Sequence, residues 1–134
     1  MPHPIMFDDA DPVLGRIREI ALAFPEATEV VAHGRPTFRC GKMFATYGGM
    51  IKGGPRFEQS VLFIPDAGER DALLADPRFF HPAYVGPSGW LGMDLTGAAT
   101  RDSVWTEVGE LLDASFRQIA PARVIRLLGE PGRR

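Results

Sequence analysis

The sequence predicts a two-layer α+β fold in which helices cover an antiparallel sheet of about five strands, and three observations carry that prediction. Apolar residues recur at helical spacing near both ends of the chain. Between them, short β-branched and aromatic runs are separated by glycine turns, the pattern of paired strands. The third observation is the run from Arg78 to Leu95, which holds four of the chain's thirteen aromatics, two prolines and three glycines. Large rings between residues that fix or free the backbone read as a buried corner leading into a strand, with Trp90 to Leu95 alternating around Gly92.

The elements follow in order. Residues 1 to 10 lack periodicity and read as a lead-in. Asp11-Pro12 opens the first helix, an N-cap followed by a proline at the first helical position, where its missing N–H leaves no bond unmade. Val13, Leu14, Ile17, Ile20, Ala21 and Phe24 mark one buried face, and Pro25 stops the helix. Glu29 to His33 reads as a strand, and Gly34-Arg35-Pro36 as a turn. Thr37 to Arg39 and Met43 to Tyr47 form the arms of a hairpin that turns on Gly41 and carries Lys42 at its tip. The glycine-rich stretch Gly48 to Arg56 reads as a second projecting turn and Ser60 to Ile64 as a buried strand. Asp66 and Glu69 have capping-box spacing for a short helix reaching Ala75, which Asp76-Pro77 ends. After the aromatic corner, Thr100 is placed to cap the longest helix, whose face is Val104, Trp105, Val108, Leu111, Leu112, Ser115, Phe116 and Ile119. Pro121 interrupts it, Ala122 to Leu128 add a turn or two, and Gly132 to Arg134 fray. Phe38 or Phe44, Leu62, Trp90, Trp105, Leu112 and Phe116 are the expected core.

Length and composition fit one domain spanning residues 1–134, with its core at about 11–121. The start has no basic region followed by a long apolar run, and no stretch reaches the ~20 apolar residues of a membrane span, so the expectation is a cytoplasmic protein with no membrane contact. Cys40 is the single cysteine, which excludes an internal disulfide and a cysteine-based metal site. The net charge of −2 argues against indiscriminate coating of nucleic acid. Its distribution says more, because the stretch from Arg35 to Arg56 carries five basic residues and no acidic one inside an otherwise acidic chain.

Catalytic chemistry finds no foothold. His3, His33 and His81 have no ligand spacing and no accompanying carboxylates, so no metal site is expected, and His81 beside Phe80 and Pro82 reads as a hydrogen-bonded corner residue. None of the four serines lies in a Gly-x-Ser-x-Gly elbow. The glycines before Pro55-Arg56 lack the Gly-Lys-Ser/Thr of a phosphate loop. Gly86-Pro87-Ser88-Gly89 spells Gly-x-x-Gly, yet Pro87 donates no N–H and a strand follows where an RNA-clamping module has a helix. No catalytic residue and no cofactor is expected. What remains is the basic segment with interleaved rings, in which Arg35, Arg39, Lys42, Lys52 and Arg56 are candidates to neutralise phosphates and a nearby aromatic to stack on a base. The same pattern also fits a hairpin whose Phe38 and Phe44 face the core and whose cations are its solvated side.

The segments Phe38 to Ala45, Asp71 to Gly86, Gly89-Trp90-Leu91 and Trp105 to Ala120 resemble the MmcQ/YjbR family of small bacterial proteins, over about Asp11 to Pro121. The resemblance rests most on Gly41-Lys42-Met43-Phe44-Ala45 and on Tyr84-Val85-Gly86-Pro87-Ser88-Gly89-Trp90. It implies a compact fold akin to secretion chaperones and frataxin-like sheets, described as a double-wing domain, and a DNA-binding role. Lys42 and Trp90 match the family pattern. Family members commonly carry a lysine in the strand before the second helix, where this chain has Phe63, so a cation is expected to be missing from the binding side.

The leading expectation is therefore a non-enzymatic protein that binds DNA weakly and largely without regard to sequence through its basic hairpin surface. The alternative is a module that takes a protein or small ligand, for which the corner residues His81, Tyr84 and Trp90 are the candidates.

Overall fold

The structure, a computed structural model, describes residues 4–129. His3 and residues Gly132 to Arg134, expected to fray, lie outside those residues. Helix α1 spans Pro12–Ala21 and begins as the sequence dictates, with Asp11 Oδ1 accepting from the Val13 amide at 2.9 Å. It ends before Pro25, because the chain tightens through Ala23 and Phe24 and passes Glu26 at positive φ. That turn sends Phe24 into the core, where it stacks on Phe116 with ring centroids 4.8 Å apart and meets Phe44 edge-on at 5.6 Å.

Six strands form the sheet, one more than expected: β1 (Thr28–Ala32), β2 (Arg35–Cys40), β3 (Lys42–Met50), β4 (Arg56–Phe63), β5 (Phe79–Phe80) and β6 (Leu91–Asp94). Their order is β1-β2-β3-β4-β6-β5, and every pairing is antiparallel. The added strand is β5, two residues long and thus too short for alternation to reveal. Along β3 one expectation fails. Gly48 and Gly49 continue the strand instead of turning it, and the turn comes later, at residues 51–55, where the Gly54 amide bonds Ile51 O at 2.8 Å. The register shifts between Tyr47 and Gly49, which is a bulge, and Gly48 sits in it at φ +84°. A Cβ on Gly48 would lie 2.0 Å from the Arg35 guanidinium, and one on Gly49 would lie 2.9 Å from the Leu62 side chain. These glycines serve close packing.

Asp66 makes no capping bond; the chain passes through a 3-10 turn, Ala67–Glu69, into the short helix α2, Arg70–Leu74. Another 3-10 turn, Ala98–Thr100, takes the place expected for a Thr100 cap, and helix α3 runs Asp102–Ile119 with Arg101 at its N-cap. Pro121 separates it from helix α4, Ala122–Ile125. No helix among the described residues is long and apolar enough to cross a membrane.

The main core lies between one sheet face and the helices α1 and α3, with Phe38, Phe44, Trp105, Leu112 and Phe116 buried as expected. Ser115 fastens α3 to the sheet: its hydroxyl donates to Phe44 O at 2.6 Å and accepts from the Ile64 amide at 2.9 Å. Leu62 and Trp90 are also buried, but in a second cluster with Phe80 on the outer sheet face. There Phe80 covers Gly92 so closely that an added Cβ would lie 2.3 Å from its ring.

Asp11 ties helix to sheet. Its carboxylate caps α1, accepts from Gln59 Nε2 at 3.0 Å and accepts from the buried Tyr47 hydroxyl. Burial and the Asp11 carboxylate raise the Tyr47 phenol well above its ordinary 10.0, so the neutral phenol belongs to the folded state. Its stabilising contribution is complete below pH 10 and is lost as pH rises above that, because the unfolded chain ionises first. Tyr47→Phe should lower stability by about 1–3 kcal/mol near neutral pH, since it strips a donor from a partly buried carboxylate. It should also flatten the alkaline decline. Urea denaturation at about pH 8 and about pH 10.5 checks both, and equal pH dependence of the two proteins would refute the assignment.

Candidate nucleic-acid interface

The two hairpin turns that carry the candidate cations sit at opposite ends of β3. The strand between them is nine residues of extended chain, on the order of 30 Å. The structure therefore does not gather Arg35, Arg39, Lys42, Lys52 and Arg56 at one edge. Lys42 is exposed just after the Gly41 turn, and Arg39 nearby donates from Nε to Thr37 Oγ1 at 3.0 Å. Beyond the other end of β3, Lys52 is exposed and the Arg56 side chain is 56% exposed, with Glu58 3.9 Å away. A long, exposed pair of that kind restrains Arg56 little.

Arg35 belongs to the packing. Its side chain is only 14% exposed, Nη2 lies 3.4 Å from Glu58 Oε1, and Nη1 is buried over Gly48 without a hydrogen-bond partner among the described residues. Only Gly48 leaves room for it. The sequence counted Arg35 with the surface cations because charge pattern carries no record of the bulge that swallows it.

On the outer face, the chain after β5 folds over the sheet and is pinned at several points. The Ala83 amide donates to Met50 O at 2.7 Å, and Arg70 donates from Nη1 to Gly89 O at 2.6 Å. Arg70 Nη2 lies 3.2 Å from His81 Nδ1, and since a guanidinium only donates, Nδ1 is the acceptor. Phe57 of β4 stacks on Phe80 at 4.4 Å, which draws the β3–β4 turn toward this same segment. The three corner candidates consequently have different places. Trp90 is buried beside Leu62 and Phe80, His81 is held by Arg70, and Tyr84 stands 87% exposed on a backbone at φ +71°. Sequence reasoning did not single out Arg70. Nothing in the sequence signals the Met50–Ala83 contact either, because it joins a strand end to a distant loop through backbone atoms.

Several other cations among the described residues are already matched to carboxylates. Arg18 bridges Asp9 and Glu29, each at 2.8 Å, Arg123 holds Glu26 at 2.6 Å, and Arg117 holds Asp113 at 2.6 Å. Arg78 grips Asp76 at 2.7 Å and Glu107 at 2.9 Å, and its guanidinium keeps the Asp76 carboxyl below the usual carboxylate range. A groove of about 660 Å³ runs between the α2 region and α3, lined by Asp66, Glu69, Glu107 and Glu110 among others. Its field disfavours phosphate. The exposed cations beside the outer-face loop are thus Lys52 and Arg56, with Arg70 behind them.

This is an α+β sheet protein whose second, aromatic face is roofed by its own loop. The family model described as YjbR matches residues 22–118, and the chain belongs to the YjbR family. No curated protein and no solved structure matches it significantly. The family departure at Phe63 also finds its place. Phe63 is fully buried on the core face, edge-on to Phe79 at 6.2 Å, so no cation is missing there from an exposed surface.

Arg70→Ala should release the outer-face loop. Amide exchange in peptides covering residues 81–89 should accelerate while global stability changes by less than about 1 kcal/mol, because the lost bonds tie a surface segment. Unchanged exchange in a mass-spectrometric comparison would show that the backbone contacts hold the loop alone.

Proposed function

We propose that this YjbR-family protein is a non-enzymatic DNA-binding protein, weak and largely indifferent to base sequence, that holds phosphates on Lys52 and Arg56. One observation carries the reading: two exposed cations flank a glycine turn that leans on a pinned loop, whereas Arg18, Arg78, Arg117 and Arg123 are each held by carboxylates. Contacts of this kind position a phosphate backbone without reading base edges. Lys42 and Arg39, at the other end of β3, form a separate and secondary contact.

The small number of cations sets the expected strength. Two or three neutralised phosphates give a slope of log affinity against log salt of about −2 to −3 on duplex DNA, so binding belongs to low ionic strength. Exposed charges contribute little to folding, so their reversal leaves the melting temperature nearly unchanged.

Anisotropy titrations with a labelled oligonucleotide at low salt test this. Lys52→Glu with Arg56→Glu should abolish binding, while Arg39→Glu with Lys42→Glu should weaken it and leave it measurable. Binding that survives reversal of Lys52 and Arg56 would overturn the site, and an absence of any binding by the unaltered protein would favour a protein-binding or small-ligand-binding role.

A further inference from the structure

Tyr84 is the most exposed of the large apolar side chains among the described residues, at 87%, and it also occupies a left-handed backbone conformation, φ +71°. Non-glycine residues seldom adopt that conformation, and a bulky one holds it only where the surroundings impose it. Here they do. Ala83 before it is tied to Met50 O at 2.7 Å, the Val85 amide after it bonds Ala83 O at 2.8 Å, and the Gly86 amide bonds Pro82 O at 2.9 Å. Arg70 fastens the far end of the loop through Gly89 O. The ring gains almost no burial from this arrangement. The backbone around Tyr84 is therefore fixed with its aromatic face turned to solvent, beside the turn that carries Lys52 and Arg56.

Resting on the nucleic-acid reading above, we infer that the ligand is single-stranded, with one unpaired base stacked on Tyr84 and the adjoining phosphates on Lys52 and Arg56. An aromatic ring beside cations is the arrangement that single-strand binders use, because every base offers a π-face and every nucleotide a phosphate. Within a duplex the base faces are covered by their neighbours, so Tyr84 has nothing to stack on unless the helix is opened. Duplex DNA then meets only the cations. The pinned loop keeps the ordering of the platform from opposing binding, since the ring's backbone is set before the ligand arrives.

The test compares a labelled oligothymidine of about twelve nucleotides with a duplex of the same length, at the same low salt, for the unaltered protein, Tyr84→Phe and Tyr84→Ala. The single strand should bind more tightly than the duplex. Tyr84→Ala should weaken the single strand on the order of ten-fold, as loss of one base stack does, and leave both the duplex affinity and the salt slope unchanged. Tyr84→Phe should retain single-strand affinity, which separates stacking from a hydrogen bond of the hydroxyl. If Tyr84→Ala leaves the single strand unaffected, or weakens duplex and single strand alike, the stacking role is overturned while the phosphate site stands. If the unaltered protein binds neither, this inference and the function it rests on fall together.

Discussion

The constraint on which both faces of this molecule depend is the bulge in β3 at Gly48. One extra residue, held at φ +84°, changes which way the strand's side chains point on either side of it. Before the bulge, Tyr47 reaches into the core and meets the carboxylate that starts α1. After it, Gly49 lets Leu62 close against the backbone, and the end of the hairpin leans over the outer face until Phe57 stacks on Phe80. Arg35 fills the space that a side chain on Gly48 would need. A single glycine thereby links the helix cap, the burial of one arginine and the placing of the cationic turn against the aromatic loop.

The sheet has two apolar faces that differ in how they are covered. Helices close the inner one, with Ser115 holding α3 in register through one hydroxyl that serves both Phe44 and Ile64. The outer one is small, centred on Leu62, Phe80 and Trp90, and is closed by the loop that follows β5. A loop lacks the internal hydrogen bonds of a helix, so its backbone groups must find partners elsewhere. Met50 O and the Arg70 guanidinium supply two of those pairings, and Arg70 takes a further contact with His81. The roof is held by polar contacts at its margins and by apolar packing beneath, and Tyr84 is left outside both.

How much of this was legible in the sequence depends on the range of the interaction involved. Asp11-Pro12 and the faces of α1 and α3 are local patterns, and they placed the helices and their core residues correctly. The glycines at 48 and 49 misled because glycine marks both turns and close approaches, and only the facing residues, Arg35 and Leu62, decide between them. The two-residue β5 has no period to read. The basic segment was visible as charge, but its division between the two ends of β3 follows from the length of that strand, which the glycine misreading shortened. Arg70 and Tyr84 could not be joined to Lys52 from sequence, since what joins them is one backbone hydrogen bond and one ring stack between distant segments.

Charge pairing then decides where a polyanion could approach. An acidic protein presents most of its surface to phosphate as a barrier, and the carboxylates along α3 and before α2 reinforce it. Arg78 nearby is already neutralised, by Asp76 and by Glu107 of α3 at once. Cations at the tips of glycine-rich turns escape that fate because no helix of acidic residues packs beside them. At the end of β3 that lies against the roof, these exposed charges, of which Arg56 has only a long pairing with Glu58, coincide with a ring that packing has left bare. Neither feature would mean much alone, as scattered surface cations and single exposed apolar residues are common. Their meeting on a backbone held in an unfavourable conformation is different, because the fold stabilises that conformation without burying the side chain it presents. Strain held in place with no internal benefit to the ring is what a surface shaped for an external partner would show.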